Sequence, residues 1–180
     1  MYFPRNWFNS SNRILESDWK LFHNFRKEAI MWYNRIVASL DEIPNFIDHY
    51  EQELALAKKE IYIKGNVEKN LADLPGITEN RFNQLEEVEA VLNFLNLRLR
   101  KIRRKHFQIY LEGYNRVLTS RDAEKYVDGE EEVVEFEMLI NEVALLRNKY
   151  LGIMKGLESK NFMIGHITRL RCAGMESIEM

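Results

Sequence analysis

Residues 88–109, VEAVLNFLNLRLRKIRRKHFQI, decide how this chain is read. Val88, Leu92, Leu95, Leu99, Ile102, His106 and Ile109 recur in alternating steps of four and three, a heptad seam held for three repeats, and that spacing predicts a long bundle or coiled-coil helix. Within the same stretch, Arg98-Leu99-Arg100-Lys101-Ile102-Arg103-Arg104-Lys105 packs six positive charges into eight residues. At about 100° per residue, Leu99, Ile102, His106 and Ile109 fall on one narrow stripe. Arg100, Lys101, Arg103, Arg104 and Lys105 spread over roughly 200° of the remaining cylinder, with Phe107 and Tyr114 inside that arc. A face of cations interleaved with aromatics suits a phosphate backbone carrying stackable bases.

Composition frames this helix. With 180 residues, 46% of them hydrophobic, the chain has enough apolar material for one core, and one globular unit is the default. Eight Gly and three Pro are too few turn residues for many short strands, so the expectation is an all-α protein, a long-helix antiparallel bundle of coiled-coil hairpins that forms oligomers. The formal charge of −2 excludes a globally basic polyanion binder, so such affinity must come from a local patch. Charge is uneven: residues 78–121 hold nine Lys/Arg against five Asp/Glu, whereas residues 122–137 hold eight acids and only Lys125. One cysteine, Cys172, excludes an intramolecular disulfide and reads as a quiet, at least half-buried thiol. With no signal peptide and no apolar run of spanning length, a cytoplasmic protein without membrane contact is expected.

Along the chain, Met1–Asn12 reads as an aromatic arm that packs on its own core or on another subunit. Ser17-Asp18 starts a first helix reaching Leu40, with Trp19 and Trp32 as packing anchors. Asp41-Glu42 and Pro44 mark a stop and restart, and Ile47, Tyr50, Leu54, Ala57 and Ile61 carry a second helix toward Gly65. Residues 66–77, with the pair Pro75-Gly76, give the clearest loop signal and divide the chain into an N-terminal arm and hairpin (1–77) and a C-terminal part (78–180). Thr78 then caps the third helix, with Glu79 in its first turn. Thr119–Asp122 and Asp128-Gly129 bracket a corner or single helical turn. A glutamate-rich fourth helix follows from Glu130, Ser159-Lys160-Asn161 breaks it, and a short last helix runs toward Gly174.

No Gly-rich phosphate loop, nucleophile elbow, metal-ligand cluster or His/Cys pairing is present in the sequence, so the expectation is a non-enzyme without metal or cofactor. The glutamates read as solvated faces and N-terminal charges. An antiparallel hairpin turning near Ser120 sets residue 105 roughly opposite 135, so the acidic stretch neutralises part of the basic helix. One acidic face cannot cover 200° of cations, and the remainder stay exposed.

From Lys105 onward the chain resembles UvsY, the phage recombination mediator family. The resemblance is carried best by Lys155-Gly156-Leu157-Glu158-Ser159-Lys160-Asn161-Phe162-Met163-Ile164-Gly165-His166-Ile167-Thr168-Arg169-Leu170-Arg171, where the family has a helix end, a short basic and polar break and a closing Arg-bearing helix. Asp128 and the glutamates before Val133-Val134 stand in the place of its acidic segment. About 75 residues are covered, and 1–77 have no counterpart in the family. The family's basic and aromatic single-strand-binding helix maps onto Arg103-Arg104-Lys105 to Tyr110 and Tyr114, with a different order of basic and aromatic residues. The resemblance implies a homo-oligomer that holds single-stranded DNA and bridges a single-strand-binding protein and a RecA-like recombinase, without catalysis. The candidate nucleic-acid-binding residues are therefore Arg98, Arg100, Lys101, Arg103, Arg104, Lys105, Phe107, Tyr110 and Tyr114. Two other readings are a helical structural or adaptor protein, such as a virion component, and a small terminase-like ring subunit that handles duplex DNA.

Overall fold

The computed structural model describes residues 32–113 and 119–174. The aromatic arm, the helix start at Ser17-Asp18, Trp19 and Tyr114 lie outside these residues. Among the described residues there are helices and no strands: helical residues 32–38 (α1), a 3-10 turn at Leu40–Glu42, α2 (Ile43–Glu60), α3 (Val67–Gly113), α4 (Ser120–Asp128) and α5 (Glu131–Cys172). The fold is an all-α bundle built on two long antiparallel helices. At 1.5 Å per residue, α3 and α5 are about 70 Å and 60 Å long.

The expected stop and restart near Pro44 is present. The Ser39 hydroxyl accepts from the Asp41 amide at 3.3 Å to cap the 3-10 turn, and Pro44 enters α2 in its first turn, where its missing N–H costs nothing. Ile43, Phe46, Tyr50, Leu54 and Ala57 follow at helical spacing and are all buried. Gly65, at φ +68°, supplies the left-handed residue that turns the chain, a conformation costly for any side chain with a Cβ.

The turn sits immediately before the expected loop, ten residues ahead of Pro75. The Asn66 side chain accepts from the amides of Glu68 (2.7 Å) and Lys69 (3.3 Å), so α3 nucleates there and runs through Pro75-Gly76 without interruption. The loop expected at 66–77 is thus corrected to a helix, and the 77/78 division falls inside it. Thr78 is an interior residue whose hydroxyl donates to the Leu74 carbonyl at 2.9 Å, rather than a cap. Tertiary packing overrides the proline: Val67 and Leu74 on one side of it, and Leu85, Val88 and Val91 beyond, are buried in the core they share with α5. Burial of each such side chain contributes about 1.5–3 kcal/mol, and several together outweigh one lost backbone hydrogen bond.

α5 is likewise continuous through Ser159-Lys160-Asn161, correcting the expected break. None of these three is a Gly or Pro, so each lowers helix propensity by well under ~1 kcal/mol. Lys160 is 5% exposed, and its Nζ donates to the Glu60 carbonyl at 2.8 Å, closing the C-terminal end of α2. Burial pulls its amine below the usual lysine range. Gly156 lets α5 approach the end of α2, because a Cβ there would stand 2.7 Å from Ile61 Cδ1. Between Thr119, whose hydroxyl accepts from the Asp122 amide, and Gly129, the expected corner is a nine-residue helix, α4.

Register follows from the polar pairs. Residues 89, 103 and 105 of α3 stand opposite 147, 137 and 132 of α5, fixing the antiparallel pair. α2 runs parallel to α5 at a nearly constant offset of 100 residues, through Tyr50–Tyr150, Glu51–Lys149 and Glu60–Lys160. The seam on α3 keeps its place at Val88 and Leu95, both fully buried, and is lost at Ile109, which is 53% exposed. A straight helix drifts by about 20° per heptad against a 3.5-residue repeat, so after three repeats Tyr110 has replaced Ile109 on the inner side.

Candidate nucleic-acid interface

The basic stretch lies beyond the last fully buried residue of α3, Leu95, on the part of the helix that packs against α5 and α4. Its side chains divide into two groups. The Arg103 guanidinium bonds to Glu137 at 2.9 Å and to Asp128 at the end of α4. Lys105 Nζ lies 3.5 Å from Glu132, and His106 Nε2 is 2.7 Å from the same carboxylate, with Nδ1 3.8 Å from Glu130. The hydrogen bond from His106, helped by the Lys105 charge, holds the Glu132 carboxyl below the usual range. Tyr110 donates its hydroxyl to Glu130 and stacks on Tyr126 of α4, ring centres 5.5 Å apart. The acidic start of α5 therefore faces the basic helix, with Lys105 opposite 132 rather than 135. Such solvent-exposed pairs contribute about 0–1 kcal/mol each.

Arg98, Arg100, Lys101 and Arg104 form the other group. All four are exposed, and none has an ion-pair partner among the described residues. They line a shallow groove of about 530 Å³ whose apolar part is Val37 of α1 with Phe94 and Leu97 of α3. Positions 94, 97, 98, 101 and 104 follow one another at helical spacing, so α3 itself supplies most of the groove as a single stripe. The Arg98 guanidinium lies 5.6 Å from the Phe94 ring centre, and Tyr33 of α1 meets the same ring edge-on with centres 6.2 Å apart. The groove thus combines four cations with an aromatic floor.

Of the nine candidate residues, Arg98, Arg100, Lys101 and Arg104 come together at one groove. Arg103, Lys105 and Tyr110 are held by carboxylates of α4 and α5, Phe107 is half-buried, and Tyr114 lies outside the described residues. Phe94, Leu97 and Val37 were not among the candidates. The spacing of 94 and 97 with the cations was readable on the helix, whereas Val37 is brought in by the fold.

The position of α1 depends on Glu87. Its carboxylate is 7% exposed, accepts the Tyr50 hydroxyl and takes the Tyr33 amide at 3.3 Å. Burial pushes it up from its ordinary 4.5 to about 7, against the lowering effect of the Tyr50 and Tyr33 hydrogen bonds. Burial, reinforced by Glu87, in turn drives the Tyr50 hydroxyl far above its ordinary range. Arg81, 3% exposed, bonds to Glu60 (2.7 Å) and Glu53 (2.8 Å) and ties α2 to α3. Burial alone would lower its guanidinium, and the bonds to the two carboxylates raise it.

Among the described residues no group of His, Cys, Asp or Glu could hold a metal ion, and no helix is long and apolar enough to cross a membrane. Cys172 ends α5 and is exposed, which corrects the expectation of a buried or half-buried thiol. No family model, curated protein or solved structure matches the chain.

Proposed function

We propose that this chain is a non-enzymatic, single-stranded DNA-binding accessory protein of a phage-type recombination system that works as a homo-oligomer in the host cytoplasm. One observation carries the reading: Arg98, Arg100, Lys101 and Arg104 share a groove with Phe94 and have no carboxylate partners among the described residues. Guanidinium groups donate two parallel bonds to a phosphate, and an aromatic floor gives an unstacked base a surface, which favours a single strand over a closed duplex. Bridging a single-strand-binding protein to a RecA-like recombinase comes from the resemblance of residues 105–180 to UvsY. Repeating a small patch around an oligomer raises the effective concentration of sites, which turns weak contacts into tight binding.

Fluorescence anisotropy of an unstructured oligonucleotide across salt concentrations, run with the mass in solution, tests this reading. Replacing Arg100, Lys101 and Arg104 by Ala weakens single-strand binding and leaves the mass unchanged. Unchanged affinity overturns the reading, and preference for duplex supports the terminase-like alternative.

A structural or adaptor role is favoured by a different observation. Val134, Met138 and Leu145 are 40%, 64% and 57% exposed along one side of α5, and Phe162 is 69% exposed farther on. Collapse of the oligomer in the triple variant, with DNA affinity absent throughout, supports that role.

A further inference from the structure

The cations of residues 98–105 form one unbroken series at i, i+3 and i+4 spacing: Arg98 neighbours Lys101, Arg100 neighbours Arg103 and Arg104, and Lys101 neighbours Arg104 and Lys105. Among the described residues Arg98, Arg100, Lys101 and Arg104 are open to solvent without an ion-pair partner. Arg103 bonds to Glu137 at 2.9 Å, a charge-assisted distance that a phosphate oxygen would also take, and to Asp128, and Lys105 lies 3.5 Å from Glu132.

These three carboxylates are not what holds α4 and the start of α5 in place. Ala123, Val127 and Val133 are buried to 2% exposure or less and anchor that corner. The side chains of Asp128, Glu132 and Glu137 are 56%, 47% and 44% exposed, at the rim of the contact. Rim carboxylates can swing away without moving either helix, and exposed pairs are weakly held and screened by salt.

We infer that Asp128, Glu132 and Glu137 stand in for phosphates at Arg103 and Lys105, and that a bound single strand displaces them to engage these two cations beside the four open ones. The inference rests on the single-strand-binding reading and adds its regulation: the chain's own carboxylates act as a competitor that a long polyanion outbids and a short anion does not. The polyanion track then runs from Arg98 to Lys105 along one helix.

Removing the competitor tests this in the full-length chain, with an oligodeoxythymidylate as the probe. The variant Asp128→Asn, Glu132→Gln, Glu137→Gln frees Arg103 and Lys105. A control variant, Glu124→Gln, Glu131→Gln, Glu135→Gln, changes the net charge equally at exposed carboxylates that have no ion-pair partner among the described residues. In the wild type each displaced carboxylate takes up a cation as a phosphate releases one, so Arg103 and Lys105 add no net salt slope; with the carboxylates removed, each adds about 0.7 to the magnitude of the log–log slope. The competitor variant gains about 1.4 and binds roughly tenfold tighter at low salt, and the control gains no slope. Equal slopes in the two variants, with wild-type binding intact, overturn the inference alone. Binding that appears only in the competitor variant supports it even where the wild type binds weakly. Absence of binding in all three overturns both this inference and the single-strand reading. Where helix content shows that the triple variant does not fold, Glu132→Gln alone frees Lys105 and is expected to add about 0.7.

Discussion

Glu87 is the residue where structure and charge are most tightly linked. Its folded-state value of about 7 lies above the ordinary 4.5, so the native state binds the proton more tightly than the unfolded chain does. Its contribution to stability is therefore complete below pH ~4.5, falls as pH rises toward 7, and is gone above it. The expected loss over that window is about 3 kcal/mol. Urea unfolding at pH 5 and pH 8 checks this: Glu87→Gln flattens the difference, and a variant that keeps the full slope contradicts the assignment. Arg81 behaves differently, since it is charged throughout. Arg81→Ala leaves Glu53 and Glu60 without the cation that joins α2 to α3, and is expected to cost about 3 kcal/mol in the same measurement.

At the scale of elements, Pro75 lies nine residues into α3 and has no N–H for the Leu71 carbonyl. Pro75→Ala restores that bond and is expected to stabilise the protein by about 1–3 kcal/mol, read as a higher urea midpoint at unchanged m. A destabilised variant would show that the proline has a role the backbone does not reveal. The same position shows what was legible from sequence. Periodicity gave the long third helix, the Pro44 restart and the facing of basic and acidic stretches, because each depends on residues close in the chain. The continuity of α3 through Pro75-Gly76 and of α5 through Ser159–Asn161 depends on burial against distant partners. Local propensity weighs about 1–3 kcal/mol at such a site, and several buried aliphatic side chains weigh more. Arg81, Glu87 and Lys160 could not be singled out for the same reason, since their partners lie on other helices. On the candidate site, charge density marked the turns of α3 that carry the basic stretch, while the division into cations with and without ion-pair partners among the described residues required the register of α4 and α5.

For the molecule as a whole, the two long helices act as a strut that separates two jobs. The core formed with α2 secures the middle, and the far part of α3 carries the charge. Among the described residues the acidic start of α5 pairs with Arg103, Lys105 and His106, and Arg98, Arg100, Lys101 and Arg104 have no ion-pair partner, in a chain of net charge −2. The salt dependence of oligodeoxythymidylate binding measures the availability of those four most directly. Four phosphates neutralised at about 0.7 each predict a log–log slope near −3 for the wild type, falling to about −1 when Arg100, Lys101 and Arg104 are replaced by Ala. A slope near zero, or one that the triple replacement leaves unchanged, would contradict the account.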